Sequence, residues 1–429
     1  MRKFIFLFTC ISTIFLQAQD VKKATVYAGQ GETVIVPTDA KPTQKQWKGN
    51  FTFKDSDVIF SNDFDGARLN GIIKENDSTF IALITSENTP INISPWYAFK
   101  VASKEPKQIN VTLTYQEGIK HRYYPKLSDD GENWEVLDST NYTAYEKGNA
   151  DFGMGSLPLS VTLKLSVSNK PLWVAGQELE TSASVREWAT DLTTKKDITY
   201  SSIGKSKEGR DMGLLSIGKA DSKNMILIIS RQHPPEVTGY LAMKAFVETL
   251  TSDSKLAQKF RKKFGVFVVP LMNPDGVDNG HWRHNLGGID LNRDWANFNQ
   301  PETSAVRDFM VAKEKETEGK FYFGIDFHST WDDIYYTIDS KYEGNMPGLV
   351  PDWLTAVKAD LPGYDPNIKS SDKLQPTAVS KNYFFVAHEA EALVFEIGDN
   401  TPRDFIKEKG EVSANKLMEL MLSRLKEGK

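Results

Sequence analysis

The chain has 429 residues, of which 40% are hydrophobic and 25% are charged, so it is long enough for two globular domains with sizeable cores. Its formal net charge is -5, and acidic and basic residues are interspersed. This balance gives no basic surface for a polyanion, and nucleic acid is therefore excluded as the expected partner.

The first nineteen residues predict a secretory signal peptide. A basic start precedes an apolar stretch from Phe4 to Leu16 and a short polar end, with cleavage expected near Ala18 or Gln19. No later stretch has the length that a membrane span needs, so we expect an exported protein, periplasmic or secreted, without an integral membrane segment after cleavage. Cys10 is the single cysteine and lies inside this segment, which excludes a disulfide or a catalytic thiol in the mature chain. Lipidation of Cys10 stays open.

Residues 20–180 predict an all-β sandwich domain. Short stretches with alternating polarity, such as "TFIALITS" and "QINVTLTYQEG", are separated by Gly, Asn and Asp. Alternation of period two at this spacing is typical of antiparallel strands packed in two sheets.

Residues 181–429 have a different pattern, which predicts an α/β domain with a mixed or mostly parallel central sheet. Strongly apolar strands such as "NMILIIS", "FGVFVVPLM" and "ALVFEIG" alternate with amphipathic helix candidates such as "VTGYLAMKAFVETLT" and "QPETSAVRDFMVAKEKE". The segment "TSASVREWATDLTTKKD" at the join is polar enough for a linker or for a helix that crosses between the domains.

Polar side chains follow four of the predicted strands. They are His233 and Glu236, Asn273 and Asp275, His328, and Glu396. Because ligands bind at the carboxyl ends of strands in an open α/β sheet, we expect these groups to point into one crevice.

Two imidazoles and one carboxylate favour a catalytic zinc site with three protein ligands and a fourth position for water. The alternative for any single histidine is a hydrogen-bonded or surface side chain. The chain has six histidines, and two of them occupy this pattern. We therefore expect zinc to bind His233, Glu236 and His328, with the prolyl pair in "HPPE" holding the first two ligands still.

The loop "NPDGVDNGHWRHNLGGIDLNRDW", residues 273–295, carries Arg283, Asn292 and Arg293. For an arginine taken alone, the alternative is an incidental side chain in a solvated loop. Together, and opposite a metal site, they indicate a substrate with a carboxylate or a developing oxyanion, because arginine binds carboxylates in a bidentate fork.

The order of "HPPE", "WR", "DLNRDW", "FHS" and "FEIG" resembles the zinc carboxypeptidases of the carboxypeptidase A type over about residues 200–429. The prolyl ligand motif, "NPDG" and the upstream "NISPWYAFKV" are closest to the cytosolic-carboxypeptidase-like subfamily, whose members include tubulin deglutamylases. The predicted export argues against tubulin as the substrate.

The resemblance implies a role for each matching residue. These are zinc ligation by His233, Glu236 and His328, general-base catalysis by Glu396, oxyanion stabilisation by Arg283, binding of the terminal carboxylate by Asn292 and Arg293, and orientation of His233 by Asp290. The sequence departs from the better-known members at Pro235, where they carry an arginine. Their substrate-capping tyrosine has no clear counterpart, since Tyr383 falls at the position of a packing aromatic.

In the resembled enzymes, the segment before the general base supplies the floor of the side-chain pocket. Alignment of "SKNYFF" with that segment places Lys381 there, which implies a preference for acidic C-terminal residues. An exposed loop lysine is the alternative.

We thus expect an exported zinc metallocarboxypeptidase, a peptide hydrolase whose partner is a peptide with a free C-terminal carboxylate. A cell-wall peptide amidase or carboxypeptidase with the same zinc chemistry is an alternative. A catalytically inactive binding protein is a further alternative, disfavoured because no site position is lost.

Overall fold

A computed structural model describes residues 33–89, 94–147, 157–219 and 221–427. The predicted signal peptide and Cys10 lie outside these ranges. Within them, no helix combines the length and the apolar character needed to cross a membrane.

The N-terminal domain consists of eleven strands among the described residues. They are β1 (Asn50–Phe51), β2 (Val58–Ser61), β3 (Gly71–Asn76), β4 (Thr79–Ile84), β5 (Ala98–Ser103), β6 (Lys107–Tyr115), β7 (Lys126–Ser128), β8 (Glu135–Val136), β9 (Tyr142–Lys147), β10 (Pro158–Val167) and β11 (Leu172–Ala175). One sheet has the order β1-β2-β5-β11-β7-β8 and the other β3-β4-β6-β10-β9. All pairs are antiparallel except β4 with β6. Inward residues of the two sheets form one apolar core, which gives the predicted sandwich.

The second domain alternates strands with helices. Its helices are α1 (Ser182–Leu192), α2 (Val237–Leu250), α3 (Lys255–Arg261), α4 (Pro274–Asp278), α5 (Pro301–Thr317), α6 (Leu349–Asp360), α7 (Ser380–His388) and α8 (Arg403–Glu427). Its strands are β12 (Ile198–Lys205), β13 (Asp211–Gly218), β14 (Asn224–Ser230), β15 (Gly265–Val269), β16 (Lys320–Thr330), β17 (Ile334–Ile338), β18 (Ile368–Ser371) and β19 (Glu391–Gly398).

The central sheet is mixed, with the order β12-β13-β15-β14-β16-β19-β17-β18. Its four middle strands, β15, β14, β16 and β19, run parallel, and almost every residue in them is buried. Side chains of α2, α6 and α8 pack on one face, and those of α5 and α7 pack on the other. The sequence prediction of an α/β domain with a mixed sheet, preceded by a β-sandwich, is confirmed.

The two domains share an extended contact. The last strand of the sandwich ends at Ala175, and α1 begins at Ser182, so the polar join is a helix. Further along, residues 279–284 of the second domain lie against the sandwich, and the Trp282 side chain belongs to the sandwich core. Gly280 lies within this contact at φ +62°, where an added Cβ would come within 2.3 Å of a backbone oxygen.

Candidate active site

The loop between β14 and α2 holds the first two predicted ligands. Arg231, just after the strand, has φ 57°, and its guanidinium donates a hydrogen bond to the Pro234 carbonyl at 2.6 Å. Two consecutive prolines then fix the chain up to Glu236, which precedes the first turn of α2. The loop therefore presents His233 and Glu236 from a rigid backbone.

The third predicted ligand comes from the neighbouring strand. His328 lies near the end of β16, which pairs in parallel with β14. Glu236 bridges the two imidazoles: its Oε1 lies 2.7 Å from His233 Nδ1, and its Oε2 lies 2.6 Å from His328 Nδ1. Among the described residues, this buried trio is the one group of three or more His, Cys, Asp or Glu side chains whose ligand atoms all lie within 4.8 Å of one another.

Each imidazole is also held through its other nitrogen. His233 Nε2 lies 2.9 Å from Asp290 Oδ1, and His328 Nε2 lies 2.8 Å from Asp326 Oδ2. A carboxylate behind a histidine ligand fixes the tautomer and leaves the opposite nitrogen for a metal. The donor set of two Nδ1 atoms and one carboxylate fits zinc, with one position left for water.

Arg283 lies beside the ligands. Its Nε and Nη2 lie 3.0 and 2.9 Å from Asp290 Oδ2, and its Nη1 lies 3.7 Å from Glu236 Oε1. Burial alone would raise the pKa of Asp290, but the charges of Arg283 and His233 hold that pKa well below its ordinary value. Asp290 thus stays ionised between the arginine and the imidazole.

Glu396 lies on β19 directly opposite His328 on β16. It is buried, and its Oε2 has no hydrogen-bond partner among the described residues. Burial raises the pKa of Glu396 to about 8, although the neighbouring His328 opposes the shift. A buried carboxyl with a free oxygen next to a predicted metal ligand is suited to accept and return a proton.

A cavity of about 350 Å³ adjoins this carboxyl. Its lining includes Asn292, Tyr336, Lys381 and Glu396. Lys381 lies in α7 and donates a hydrogen bond from Nζ to Asn382 Oδ1 at 2.8 Å. Burial lowers the pKa of Lys381 to about 8. The lysine is therefore a buried cation at the cavity wall.

Asn292 and Arg293 are placed differently from each other. Asn292 lines the cavity, where its Oδ1 accepts a hydrogen bond from the Ser380 backbone N–H at 3.0 Å. Arg293 is not among the lining residues. Its Nη1 donates to the Asn292 carbonyl at 2.7 Å and lies 4.0 Å from Asp290 Oδ2.

Residues 185–383 match the family Peptidase_M14, described as zinc carboxypeptidase. This segment therefore carries a zinc carboxypeptidase domain. The match includes the metal trio and Arg283 but ends before Glu396, whose placement rests on the structure.

Curated relatives of this zinc carboxypeptidase domain include cytosolic carboxypeptidases. Cytosolic carboxypeptidase 3 of Mus musculus is 24% identical over 322 residues, which are 69% of this chain and 32% of the relative. Cytosolic carboxypeptidase 6 of Caenorhabditis elegans is 33% identical over 111 residues, 25% of this chain and 24% of the relative. An uncharacterised protein of Zymomonas mobilis is 25% identical over 257 residues, 58% of this chain and 62% of the relative. The chain thus spans less than two thirds of each of these relatives.

Solved structures share the fold of both domains. A metallo-carboxypeptidase from Burkholderia cenocepacia has a TM-score of 0.69 at 18% identity and covers 87% of this chain and 100% of its own. A metallo-carboxypeptidase from Pseudomonas aeruginosa was solved in complex with (2-guanidinoethylmercapto)succinic acid. It has a TM-score of 0.66 at 20% identity and covers 85% of this chain and 99% of its own. The sandwich followed by the zinc carboxypeptidase domain is therefore an architecture found in other proteins.

Two residues expected in the crevice, Asn273 and Asp275, do not line the cavity beside Glu396. Asn273 caps α4 and donates a hydrogen bond to the Gln232 carbonyl at 3.2 Å. Asp275 pairs with Arg210 at 2.8 Å and accepts from Ser206 at 2.7 Å. Both residues follow β15, which flanks β14 on the side away from β16 and β19.

The sequence interpretation missed two residues of the site. Asp326 lies two positions before His328 in β16, and alternate residues of a strand share a face, so "IDFH" contained the signal. Tyr336 of β17 lines the cavity without a local pattern that marks it. Tyr383 packs against Trp295 and Phe298, as expected of a packing aromatic.

Proposed function

We propose that the protein is an exported zinc metallocarboxypeptidase that removes single residues from the C-terminus of peptides and prefers acidic ones. The observation that carries this proposal is the position of Glu396. It lies opposite His328, a predicted metal ligand, on the neighbouring strand, and it lines a cavity together with Asn292 and Lys381.

The residues divide the chemistry of hydrolysis among them. Zinc held by the trio supplies Lewis acidity, which polarises a carbonyl and acidifies water. Glu396 accepts the proton of the attacking water and later donates it to the leaving amine as the peptide bond breaks. Arg283 stabilises the negative charge that develops on the carbonyl oxygen. Asn292, with Arg293 behind it, binds the terminal carboxylate.

The preference for acidic residues rests on Lys381. A buried ammonium beside a cavity is costly unless a carboxylate pairs with it. An acidic terminal side chain supplies that carboxylate, whereas an apolar or basic side chain leaves the lysine unpaired. We therefore assign Lys381 to the side-chain pocket.

Peptides that differ only in their last residue test this assignment. The purified protein is expected to release Glu and Asp faster than Leu or Lys, and Lys381→Met is expected to abolish the difference. Lys369→Met is the matched control, because Lys369 lines the same cavity but is exposed. Equal rates for all peptides, or an unchanged preference in Lys381→Met, would reject the pocket assignment.

The same panel separates the alternatives. Exclusive activity on cell-wall peptide fragments would support a cell-wall amidase or carboxypeptidase. A zinc-loaded protein that cleaves nothing would support a binding protein. Export rests on the sequence of residues 1–19 and is tested by N-terminal sequencing of the protein recovered outside the cytoplasm, with a mature start near Gln19 or Asp20 expected.

A further inference from the structure

A carboxylate of the sandwich domain holds the backbone on either side of Arg283. Glu87 is 0% exposed and accepts hydrogen bonds from three consecutive backbone N–H groups. Its Oε2 accepts from Trp282 N at 2.7 Å, and its Oε1 accepts from Arg283 N at 3.1 Å and His284 N at 2.9 Å. The His284 Nδ1 adds a fourth contact to Oε1 at 2.8 Å.

The surroundings keep this carboxylate ionised. Burial alone would raise the pKa of Glu87, but the hydrogen bond from His284 and the nearby positive charges, which include Arg68, hold that pKa below its ordinary value. Hydrogen bonds to an ionised acceptor are shorter and stronger than neutral ones. The hydrogen bonds to Glu87 therefore hold residues 282–284 against the sandwich domain.

Other groups of the sandwich hold the same segment. Arg68 Nε donates to the Gly280 carbonyl at 2.7 Å. The Trp282 ring is buried in the sandwich core, and its Nε1 donates to the Trp96 carbonyl at 3.0 Å. Trp282 and His284 thus point into the sandwich, while Arg283 between them points at the metal ligands.

We infer that Glu87 is a positioning residue for catalysis: it fixes the backbone of residues 282–284 and thereby sets the position of the Arg283 guanidinium. The sandwich domain is in this sense part of the catalytic apparatus. The inference rests on the proposed role of Arg283 in stabilising the oxyanion. Glu87 itself contacts neither the metal ligands nor the cavity.

Loss of the Glu87 contacts is expected to affect the transition state rather than the bound substrate. A donor that acts on developing charge changes kcat and leaves the binding of substrate nearly unchanged. A displacement of such a group by about 1 Å costs up to about 100-fold in rate. Loss of the Glu87 contacts is therefore expected to lower kcat rather than to raise KM.

A double-mutant cycle tests this in the full-length, zinc-loaded protein. Glu87→Gln keeps the shape of the side chain but places an amide N–H₂ against backbone donors. We expect it to lower kcat by about 10- to 100-fold, with KM changed less than about threefold and zinc retained. Arg283→Gln alone is expected to lower kcat by about 100- to 1,000-fold, and adding Glu87→Gln to it should cost less than about threefold more.

Glu178→Gln is the matched control. Glu178 also lies at the domain junction and pairs with Arg403 at 2.7 Å, but it does not contact residues 282–284. It should leave kcat unchanged. If Glu87→Gln fails to fold, Glu87→Asp carries the same test, because it keeps the charge and shortens the reach by one methylene.

Two outcomes reject the inference. If Glu87→Gln lowers kcat by the same factor in the wild-type protein and in Arg283→Gln, Glu87 does not act through Arg283. If the kcat of Glu87→Gln is no lower than that of Glu178→Gln, Glu87 is a purely structural contact. If Arg283→Gln itself keeps a normal kcat, the proposed role of Arg283 fails, and this result is distinct from either of the others.

Discussion

Two buried carboxyls of β19 show how position decides what a side chain can do. Burial raises the pKa of Glu396 to about 8 and that of Glu391 to about 7. Glu396 lies opposite His328, whereas Glu391 lies at the other end of the strand and accepts a hydrogen bond from Gly344 N at 3.1 Å. Glu396 is therefore the proposed general base, and Glu391 lies away from the predicted metal ligands.

Glu396→Gln is therefore expected to lower kcat by about 1,000-fold, because a general base contributes factors of this order. Zinc content by elemental analysis and affinity for a non-hydrolysable peptide should stay normal. Glu391→Gln is the control and should keep its activity. Near-normal turnover in Glu396→Gln would move the base to another residue.

The lysine in the cavity predicts a pH dependence of specificity. Burial lowers the pKa of Lys381 to about 8, so the side chain is charged below this pH and neutral above it. We expect the ratio of kcat/KM for Glu-terminated over Leu-terminated peptides to fall as the pH rises through about 8. In Lys381→Arg the ratio should stay constant over this range, because arginine keeps its charge. A wild-type ratio that is flat across pH 7 to 9 would contradict the assignment.

Single residues were predictable from the sequence where the signal was local. His233 and Glu236 share one short turn, and His328 and Glu396 end apolar strands. Glu87 carried no such signal, because it lies 196 positions from Arg283 and the contact forms only when the two domains pack.

At the scale of elements, the metal site depends on how closely α2 approaches β16. A Cβ at Gly239 would lie 2.2 Å from the His328 carbonyl oxygen. The helix therefore packs directly on the backbone of the strand that carries the third ligand. Only glycine permits this separation, which fixes the distance between the two halves of the trio.

Gly239→Ala should accordingly force the helix and the strand apart. We expect a loss of about 1–3 kcal/mol in the free energy of unfolding and a weaker zinc affinity. Gly71→Ala is the control, since a Cβ there meets its nearest neighbour at an ordinary 3.8 Å. Thermal unfolding and zinc titration measure both effects, and a variant with wild-type stability and affinity would show that the packing is not needed.

The strands and helices were predictable from the sequence, but their arrangement in the sheets was predictable only in part. Stretches with period-two alternation predicted the sandwich, and apolar stretches between helix candidates predicted the α/β domain. Asn273 and Asp275 were expected in the crevice but do not line the cavity, and the order of the strands that positions them is not encoded in any one strand. The parallel pairing of β4 with β6 had no sequence signal for the same reason.

At the scale of the whole molecule, the two domains fold around a shared segment. Trp282 is contributed by the zinc carboxypeptidase domain and lies fully buried in the sandwich core. Separation of the domains would expose this indole and leave the backbone donors of residues 282–284 without Glu87. Exposure of a large apolar side chain to water costs free energy.

Residues 181–429 expressed alone are therefore expected to be inactive and less stable than the full chain. Residual structure by circular dichroism, zinc content and peptide release measure the three consequences. A fragment that is soluble, zinc-loaded and as active as the full protein would show that the sandwich is a separate module.

The central claim is that the His233–Glu236–His328 trio and Glu396 form the site of a zinc carboxypeptidase. Its most direct test is mass spectrometry of one peptide in two forms, one with a free C-terminal carboxylate and one with a C-terminal amide. The account predicts stepwise loss of single C-terminal residues from the free acid and none from the amide, with activity abolished by chelation and restored by one equivalent of zinc. Internal cleavage, equal cleavage of the amide, or full activity in the chelated protein would contradict it.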